Sequence, residues 1–407
     1  MPDPYPGYRT LHALGGAFRS RLPGKPVVLT HHTQCVTALR DRGFAPDPAM
    51  FRPRLPGYWR DGFRPTILRS VLLMHGTAHR AYRPVISQAL TPRRVEAMQG
   101  TITQVADRLL DDLPAYADQP VDLIAALAMP YAARVAGLLL GLDADMATRA
   151  AGLMRPFVTA IEFTTADQRR AIETADDVAC TLFSGILDKM ASARGHTSGL
   201  PHGDDLAIDT ASHFGPHRRE DAIANLALLF AAGFDSTASA IGLSIATLLN
   251  NPAQARLVRD DPQLVPTAVE ELLRFEPPVQ ILHRVATNYS AHPQITPGTV
   301  TMIVTAAANR DPQQHPTPDR LDLTRPPVRA LTFGAGLHFC PGAGLARLEL
   351  AVLLPRLLRR FPALRLASAP TFRAPGIGFR GIEHLPVWLS PPCVRSATVG
   401  TTQAQPS

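Results

Sequence analysis

Lysine is nearly absent from this chain of 407 residues, occurring only at Lys25 and Lys189, so arginine carries almost all of its positive charge. The sequence has no dense basic run and no helix-turn-helix or zinc-finger spacing. We therefore expect no nucleic-acid partner in spite of a net charge of +7, which suits an acidic protein partner.

Cysteine is also scarce. The four cysteines, Cys35, Cys180, Cys340 and Cys393, are scattered without pairing or CxxC spacing. This excludes a disulfide framework or a structural zinc site, and it favours a reducing compartment. Charged residues make up only 18% and hydrophobic residues 45%, which indicates a compact globular protein with a substantial core.

Long hydrophobic runs are missing as well, and no stretch approaches 18 uninterrupted apolar residues. The first residues lack the basic and apolar regions of a signal peptide. We therefore expect a soluble, cytoplasmic protein without a membrane anchor. We find no internal repeat and no linker, so we predict a single domain over residues 1–394, with a disordered polar tail over residues 395–407.

Helical periodicity dominates what is present, and it predicts a mainly α protein with small β-sheets. The pattern places long helices at about 92–195, 220–250, 262–275 and 344–360, and short strands at 26–30, 299–305 and 385–389. Proline-rich loop mixes with the first strand in the first 50 residues, the segment from Cys35 to Arg42 is expected to form a short helix, and a long irregular loop spans residues 51–70. Pro355 should kink or break the last helix.

A glycine-punctuated loop from Phe333 to Gly342 holds the cysteine of greatest interest, Cys340, just before a helical pattern. Backbone N–H groups at a helix start favour the thiolate form of such a thiol, and Gly334, Gly336 and Gly342 allow close approach of a flat cofactor. The thiolate would then serve as an axial ligand. The alternative is an inert, buried cysteine in a turn.

Three further groups of residues have side chains that could take part in binding or catalysis. Asp235, Ser236 and Thr237 follow Gly233 inside an apolar helix, where a carboxylate beside hydroxyls provides a proton relay; the alternative is a solvent-facing polar turn.

The other two constellations pair charged groups on helix faces. Glu271 and Arg274, at i,i+3, share one face and would form an ion pair that by itself says little about function. His79 and Arg83, at i,i+4, offer two donors to an anion, and Arg284 would add a third; the alternative is a solvated basic face.

The order and spacing of these stretches resemble the cytochrome P450 family of the soluble bacterial type, over nearly the whole chain. The most specific element is the family's heme-binding signature, Phe333-Gly334-x-Gly336-x-His338-x-Cys340-x-Gly342-x-x-Leu345-Ala346-Arg347. The resemblance implies the P450 fold, a triangular helical prism that encloses heme b.

The resemblance also implies residue roles. Cys340 would be the metal ligand, with Phe333, Gly334 and Gly342 around it, and the heme propionates would meet His79, Arg83, Arg284 and His338. Ala232 and Gly233 would make room above the ring, and Asp235, Ser236 and Thr237 would deliver protons for dioxygen reduction. Glu271, Arg274 and Arg320 would form a structural ion-pair network. The apolar substrate pocket would include Leu228, Ala231, Phe234, Val279, Ile281 and Ile377.

Two positions depart from the family pattern. Ser236 stands where threonine is usual, and it lacks the methyl group that restricts the threonine rotamer. Pro341 follows the cysteine where an aliphatic residue is usual, and it has no N–H to offer the sulfur.

The implied function is a heme-thiolate monooxygenase. It would be a monomer that activates dioxygen with electrons from ferredoxin and ferredoxin reductase and oxidises a small or medium apolar secondary metabolite. Arg347, Arg356, Arg359 and Arg360 would steer an acidic ferredoxin to the thiolate side. The alternatives on the same fold are oxidative coupling, ring formation, desaturation or a peroxide-driven reaction, and outside catalysis a heme-binding sensor.

Overall fold

A computed structural model of the chain describes residues 3–22, 24–46, 66–114, 119–161, 166–194, 218–288, 294–326, 329–373 and 378–389. Within them the helices are α1 Tyr5–Ala13, α2 His32–Arg40, α3 Gly76–Ala89, α4 Pro92–Ala97, α5 Gln99–Asp111, α6 Met129–Leu138, α7 Ala144–Met154, α8 Ala166–Arg194, α9 Arg219–Leu249, α10 Pro252–Asp260, α11 Val265–Phe275, α12 Thr305–Ala308 and α13 Ala343–Arg360. Most of the predicted loop at 51–70, the predicted tail at 395–407 and Ile377 lie outside the described residues.

The strands are short: β1 Ala17–Arg19, β2 Val27–Leu29, β3 Phe44–Ala45, β4 Val121–Asp122, β5 Leu282–Ala286, β6 Val300–Ile303, β7 Arg365–Leu366, β8 Thr371–Phe372, β9 Ile382–His384 and β10 Pro386–Trp388. One sheet has the order β1-β2-β6-β5-β3, a second the order β4-β10-β7, and β8 pairs with β9 as a hairpin. In the first sheet β2 and β6 run parallel, and the other neighbours run antiparallel. The predicted mainly α fold with small sheets is confirmed.

Helix α9 is the centre of the fold. It is 31 residues long and apolar on nearly every side, and it packs against α6, α8 and α13. By length and composition α9 is the one helix of the described residues that could cross a membrane, but 78% of its apolar window is buried inside the protein. An all-round apolar helix of a globular protein belongs in the core, and α9 is a core helix.

Two local predictions differ from the structure. The first 50 residues contain α1, because Pro6 stands in its first turn, where the missing N–H has no intrahelical partner to lose. Pro355 does not break the last helix, since α13 runs from Ala343 to Arg360 with Pro355 buried inside it. The burial of that helix face offsets the backbone hydrogen bond that proline cannot donate.

Candidate functional site

The cysteine lies in a loop, residues 333–342, that folds back on itself before α13. The backbone N–H of Cys340 donates to the Phe333 carbonyl oxygen at 3.0 Å and closes the loop. Gly336 has a φ of 72°, in the left-handed region, and a Cβ there would overlap the Leu39 carbonyl oxygen of α2. Glycine is therefore required for the loop to pack against α2. We call residues 333–342 the cysteine loop.

The thiol of Cys340 experiences opposing effects. Burial raises its pKa, whereas the backbone N–H groups of Gly342 and Ala343 and the charges of Arg83 and Arg347 lower it. The N–H groups therefore favour the thiolate as expected, but burial is the larger effect and raises the pKa of Cys340 in the protein. A metal ion bound to the sulfur would displace the proton outright, and the N–H groups would then stabilise the thiolate.

Four basic side chains gather beside the cysteine loop. The rings of His79 and His338 lie 4.2 Å apart, and Arg83 donates from Nη2 to the carbonyl oxygen of Phe339 within the loop. Burial and the charge of Arg284 lower the pKa of His338 to about 3. Burial also lowers the pKa of Arg284 to about 10, because desolvation disfavours its charged form.

Among the described residues, this basic cluster has no anionic partner. No carboxylate in the described part of the chain pairs with Arg83 or Arg284. The Nε2 atom of His79 is buried without a hydrogen-bond partner. Buried cations are rarely left uncompensated, so the cluster fits a ligand with carboxylate groups. A flat macrocycle with two propionates and a metal that takes a thiolate ligand meets this requirement together with Cys340.

One stripe of α9 differs from the rest of that helix. Leu229, Ala232, Gly233 and Ser236 follow one another at helical spacing and are partly or fully accessible, whereas nearly all the surrounding residues of the helix are buried. The Ser236 hydroxyl donates to the Ala232 carbonyl oxygen at 2.6 Å. We call these four residues the accessible stripe, and it is the face of α9 that a ligand would contact.

Three predicted pocket residues are not on that stripe. Ala231 and Phe234 are 0% exposed and Leu228 is 7% exposed, and all three belong to the main core cluster. Phe234 packs its ring 5.1 Å from that of Phe230 instead of facing a cavity. These predictions are wrong because the sequence of a helix that is apolar on every side does not show which side faces the pocket. Leu229 was missed for the same reason.

Gly233 also has a different reason to be glycine. A Cβ at this position would lie 3.3 Å from the Ala136 Cβ of α6, closer than most side-chain contacts. The glycine therefore allows α9 and α6 to pack closely, and its expected role of making room above a flat ring stays a prediction. Ala232, which is exposed, is the small residue that faces outward from α9.

The carboxylate of Asp235 points away from the hydroxyl beside it. Asp235 is 3% exposed, and Arg373 donates from Nη1 to Oδ1 at 2.8 Å and to Oδ2 at 2.9 Å. Arg155 also faces this carboxylate, with its Nε atom 3.9 Å from Oδ1 of Asp235. Thr237 is 4% exposed. The described residues show no hydrogen bond between Asp235 and Ser236, so the expected relay is not assembled in this conformation.

Sequence reasoning missed Arg373. It lies 138 residues from Asp235, immediately after β8. Nothing in the local pattern around either residue indicates that they meet. The contact depends on the path of the C-terminal hairpin, which only the tertiary structure shows.

The predicted ion pair of α11 is present and buried. Arg274 donates from Nε and Nη2 to the two Glu271 carboxylate oxygens at 2.7 and 2.8 Å, with both side chains at most 1% exposed. The third member is Arg325, whose Nε lies 3.3 Å from Glu271 Oε1. Arg320 was predicted in this place, but its side chain is exposed and the prediction is wrong. The carbonyl oxygens of the turn at 316–320 accept hydrogen bonds from the Arg325 guanidinium and hold Arg325 there instead.

The remaining pocket predictions fall near β5. Val279 and Ile281 are partly exposed, and Val279 bridges to Phe379. Leu282 lies under the cysteine loop, because a Cβ at Gly334 would sit 3.6 Å from it. The predicted pocket wall and the cysteine loop therefore meet at β5.

Comparison with known proteins identifies the family of the chain. The family model described as Cytochrome P450 matches residues 205–370. The chain is 34% identical over 375 residues to the nocardicin C N-oxygenase of Nocardia uniformis subsp. tsuyamanensis, covering 90% of each chain. It is also 34% identical over 382 residues to the 6-deoxyerythronolide B hydroxylase of Saccharopolyspora erythraea, covering 89% of this chain and 90% of that one.

Solved structures match the whole architecture. P450BioI, solved in complex with a fatty acid ligated to acyl carrier protein, superposes with a TM-score of 0.83 at 29% identity and covers 95% of this chain and 98% of that chain. The tirandamycin C-bound P450 monooxygenase TamI gives a TM-score of 0.83 at 28% identity and covers 96% and 98% of the two chains. With its cysteine loop, its basic cluster and its relatives taken together, the chain belongs to the cytochrome P450 family and is a monooxygenase that binds heme b.

Proposed function

We propose that Cys340 supplies the thiolate ligand of the heme iron and that His79, Arg83, Arg284 and His338 bind the propionates. The observation that carries this assignment is the basic cluster, in which His79 and Arg284 are buried; it adjoins the cysteine loop and finds no carboxylate among the described residues. Bound heme would neutralise the cluster and would supply the oxidising chemistry of the family.

The residues of α9 serve the distal side of this proposed site. Ala232 presents a small side chain to the ring and to dioxygen, and the Ser236 hydroxyl lies one turn further on the same stripe. The hydroxyl passes protons from the interior toward the cavity. Leu229 and the partly exposed Val279 and Ile281 exclude water and favour an apolar substrate.

We assign the substrate to small or medium apolar secondary metabolites, with hydroxylation as the reaction. Relatives named as a nocardicin C N-oxygenase, a 6-deoxyerythronolide B hydroxylase and the monooxygenase PikC of Streptomyces venezuelae support this class. They differ in the named reaction, so the class of metabolite is supported more directly than the atom oxidised.

A labelling experiment tests the reaction. Compounds that shift the heme spin state on binding are selected from a metabolite panel and are turned over under ¹⁸O₂. Hydroxylation predicts a product that carries one labelled oxygen atom. An unlabelled, dehydrogenated or coupled product would assign the chain to desaturation, ring formation or oxidative coupling. Product formation with hydrogen peroxide alone, at the rate of the electron-fed reaction, would favour the peroxide-driven alternative.

The electron donor is proposed to be a ferredoxin reduced by its reductase. The arginines first expected to steer it are already paired, Arg347 with Glu270, Arg356 with Asp107 at 3.2 Å and Arg360 with Asp111 at 3.0 Å. Arg359 donates to the carbonyl oxygen of Arg259. The charges of Arg347, Arg356 and Arg360 are therefore compensated by carboxylates before a partner arrives.

Other arginines beside the cysteine loop are better placed. Arg40 and Arg80 are exposed and make no ion pair within the described residues. Arg40 ends α2, against which Gly336 packs, and Arg80 stands one turn before Arg83 on α3. Leu337 and Phe339, 53% and 42% exposed, provide an apolar centre between them. An acidic ferredoxin with a small apolar patch fits this surface.

Charge reversal tests the docking surface. Arg40→Glu and Arg80→Glu should each lower ferredoxin-supported turnover and weaken its dependence on salt. Arg149→Glu on α7 is the matched control, because Arg149 is exposed on a helix that packs against α6 and α8. Equal turnover and equal salt dependence in all three variants would reject this surface.

The proposed location is the cytoplasm and the proposed state a monomer. Cys35, Cys180 and Cys340 form no disulfide, which suits a reducing compartment. Sedimentation of the heme-loaded protein at low and high concentration tests the monomer.

A further inference from the structure

Residues 277–281, between α11 and β5, form one stretch of the predicted pocket wall, and we call them the wall segment. Three backbone contacts tie this segment to the chain at residues 378–380. They are the bridge between Val279 and Phe379 and the hydrogen bonds from the Gln280 N–H to the Gly378 carbonyl oxygen and from the Arg380 N–H to the Pro278 carbonyl oxygen, both at 2.7 Å. A shift of the wall segment therefore also displaces the start of the C-terminal hairpin.

Gln280 is the polar side chain of this wall, and it is 3% exposed. Its Nε2 atom donates to the Pro277 carbonyl oxygen at 2.5 Å, and its Oε1 atom accepts from the Tyr8 hydroxyl at 2.8 Å. Its backbone carbonyl oxygen accepts from the Thr305 hydroxyl at 3.1 Å and from the Ala306 N–H at 3.2 Å. Gln280 is thus held through its backbone and through both ends of its side-chain amide.

Tyr8 reaches this amide from α1, 272 residues away in the sequence. Its ring packs against the small core cluster that Ile281 of the wall segment also contacts, made of Val28, Met302, Val304 and Ala307. Burial raises the pKa of the Tyr8 hydroxyl, so this group stays protonated and remains a donor at neutral pH. The N-terminal helix is therefore joined to the wall segment by packing and by one hydrogen bond.

The hydrogen bond from Tyr8 bears on the shape of the pocket. Without the hydroxyl, the Oε1 atom of Gln280 would be buried and unpaired, which is costly, so the amide would shift toward another donor. Val279 is the preceding residue of the wall segment and would move with it. Because protein interiors are close-packed, a displacement of a fraction of an ångström changes which molecular shapes fit.

We propose that Tyr8 is a positioning residue for substrate selection, whose hydroxyl holds Gln280 and thereby fixes the place of Val279 in the pocket wall. The inference rests on the proposed function, in which Val279 lines the substrate pocket. Tyr8 acts through Gln280 and not on the substrate itself. Helix α1 therefore contributes to which compounds bind and to which of their atoms is oxidised.

Spectral titration of the heme-loaded protein tests this inference. Two compounds of different shape that shift the heme spin state are selected from the metabolite panel, and the ratio of their dissociation constants is measured well below the Tm. Tyr8→Phe should change this ratio on the order of tenfold, since an unpaired buried acceptor displaces the wall segment. Where a compound gives more than one oxidised product, the product ratio should change as well.

A control variant separates positioning from general support of the fold. Tyr5 lies on the same helix, and its hydroxyl donates to the Phe275 carbonyl oxygen at 2.8 Å and to Glu276 Oε2 at 3.2 Å, both outside the wall segment. Tyr5→Phe should lower the Tm and leave the ratio of dissociation constants at the wild-type value. Equal changes of the ratio in Tyr5→Phe and Tyr8→Phe would overturn the inference.

A double-mutant cycle tests the route through Gln280. Gln280→Met removes the acceptor, so adding Tyr8→Phe to this variant should leave the ratio of dissociation constants unchanged. A further change of the ratio in the double variant, equal to that caused by Tyr8→Phe alone, would show that Tyr8 acts by another route and would contradict the inference.

Val279→Ala distinguishes a failure of this inference from a failure of the proposed pocket. A changed ratio in Val279→Ala beside a wild-type ratio in Tyr8→Phe would overturn the role of Tyr8 and leave the pocket wall in place. A wild-type ratio in Val279→Ala would overturn the proposed pocket wall, and the inference with it. We expect both Val279→Ala and Tyr8→Phe to change the ratio.

Discussion

Glu271 and Arg274 are buried, and their outer partner decides how well their charges are compensated. Arg325 contributes a contact of 3.3 Å to Glu271 and is 11% exposed, whereas Arg320, five residues earlier, is exposed. We predict that Arg325→Gln lowers the free energy of unfolding by about 1.5–3 kcal/mol, as for hydrogen bonds to charged groups. Thermal unfolding and the heme content of the purified protein measure the effect.

The matched control for that prediction is Arg320→Gln. Its stability should stay within about 0.5 kcal/mol of the wild type, as for other exposed sites. An equal loss in both variants would restore Arg320 to the network and contradict the assignment of Arg325.

At the residue scale, the sequence predicts which residue types are important better than it predicts where each side chain points. The Glu271–Arg274 pair was predictable because i,i+3 spacing places both on one helix face. The choice between Arg320 and Arg325 was not, because both lie in irregular chain without periodicity. The partner of Asp235 was beyond any local rule, since 138 residues separate it from Arg373.

At the scale of elements, the accessible stripe of α9 divides neighbouring residues into different roles. Leu229 is partly exposed on the stripe, and Leu228 is 7% exposed in the core. We predict that Leu229→Ala weakens the binding of spin-shifting compounds with little loss of stability. Leu228→Ala should instead lower the free energy of unfolding by about 2–5 kcal/mol, as for other buried leucines. Spectral titration and thermal unfolding of both variants make the comparison.

The opposite result would contradict the assignment of Leu229, and not Leu228, to the accessible stripe of α9. If Leu228→Ala changed the binding of these compounds and left stability intact, the pocket would lie on the face first predicted from the sequence. The pair is a sharp test because the two substitutions are chemically identical.

Helix α13 carries a buried carboxyl group, that of Glu349. Glu349 is 2% exposed, and its Oε2 has no hydrogen-bond partner in the described structure. Burial raises the pKa of Glu349 well above its ordinary value of about 4.5, because desolvation disfavours the charged carboxylate. Above that pH the unfolded chain releases the proton, and the stability of the fold therefore falls as the pH rises.

We predict that Glu349→Gln removes this loss. The advantage of the variant over the wild type should grow as the pH rises from 5 to 8, by up to about 1.4 kcal/mol for each pH unit. Denaturant unfolding at a series of pH values measures it. Parallel stability curves for the two proteins would mean that Glu349 titrates alike in the folded and unfolded chain, contrary to its burial.

Helices and strands were predictable where the residues at their ends are typical of a start or a stop. Helix α9 was expected at 220–250 and spans Arg219–Leu249, because acidic residues open it and Asn251-Pro252 follows it. Strand β5 was not predicted, since its residues Leu282–Ala286 mix basic and apolar side chains without alternation. Its partners in the sheet are distant in sequence, and pairing rather than propensity determines it.

At the scale of the whole molecule, the fold brings together residues that are far apart in the sequence. Helix α9 and the cysteine loop come from different parts of the chain, and the residues that contact them come from further parts. The basic cluster combines α3, β5 and the cysteine loop, and the ion pairs of Asp235 combine α9, the chain after α7 and the C-terminal hairpin. The sequence analysis indicated the first assembly. It did not indicate the second, which depends on Arg373.

The central claim is that Cys340 binds the iron of heme b as a thiolate. The most direct test is the absorption spectrum of the reduced protein under carbon monoxide, recorded for the wild type and for Cys340→Ser. The account predicts the red-shifted thiolate-heme band in the wild type and its loss in Cys340→Ser, with Cys180→Ser unchanged as the control. A band that survives in Cys340→Ser, or that never forms in a heme-loaded wild type, would contradict the claim.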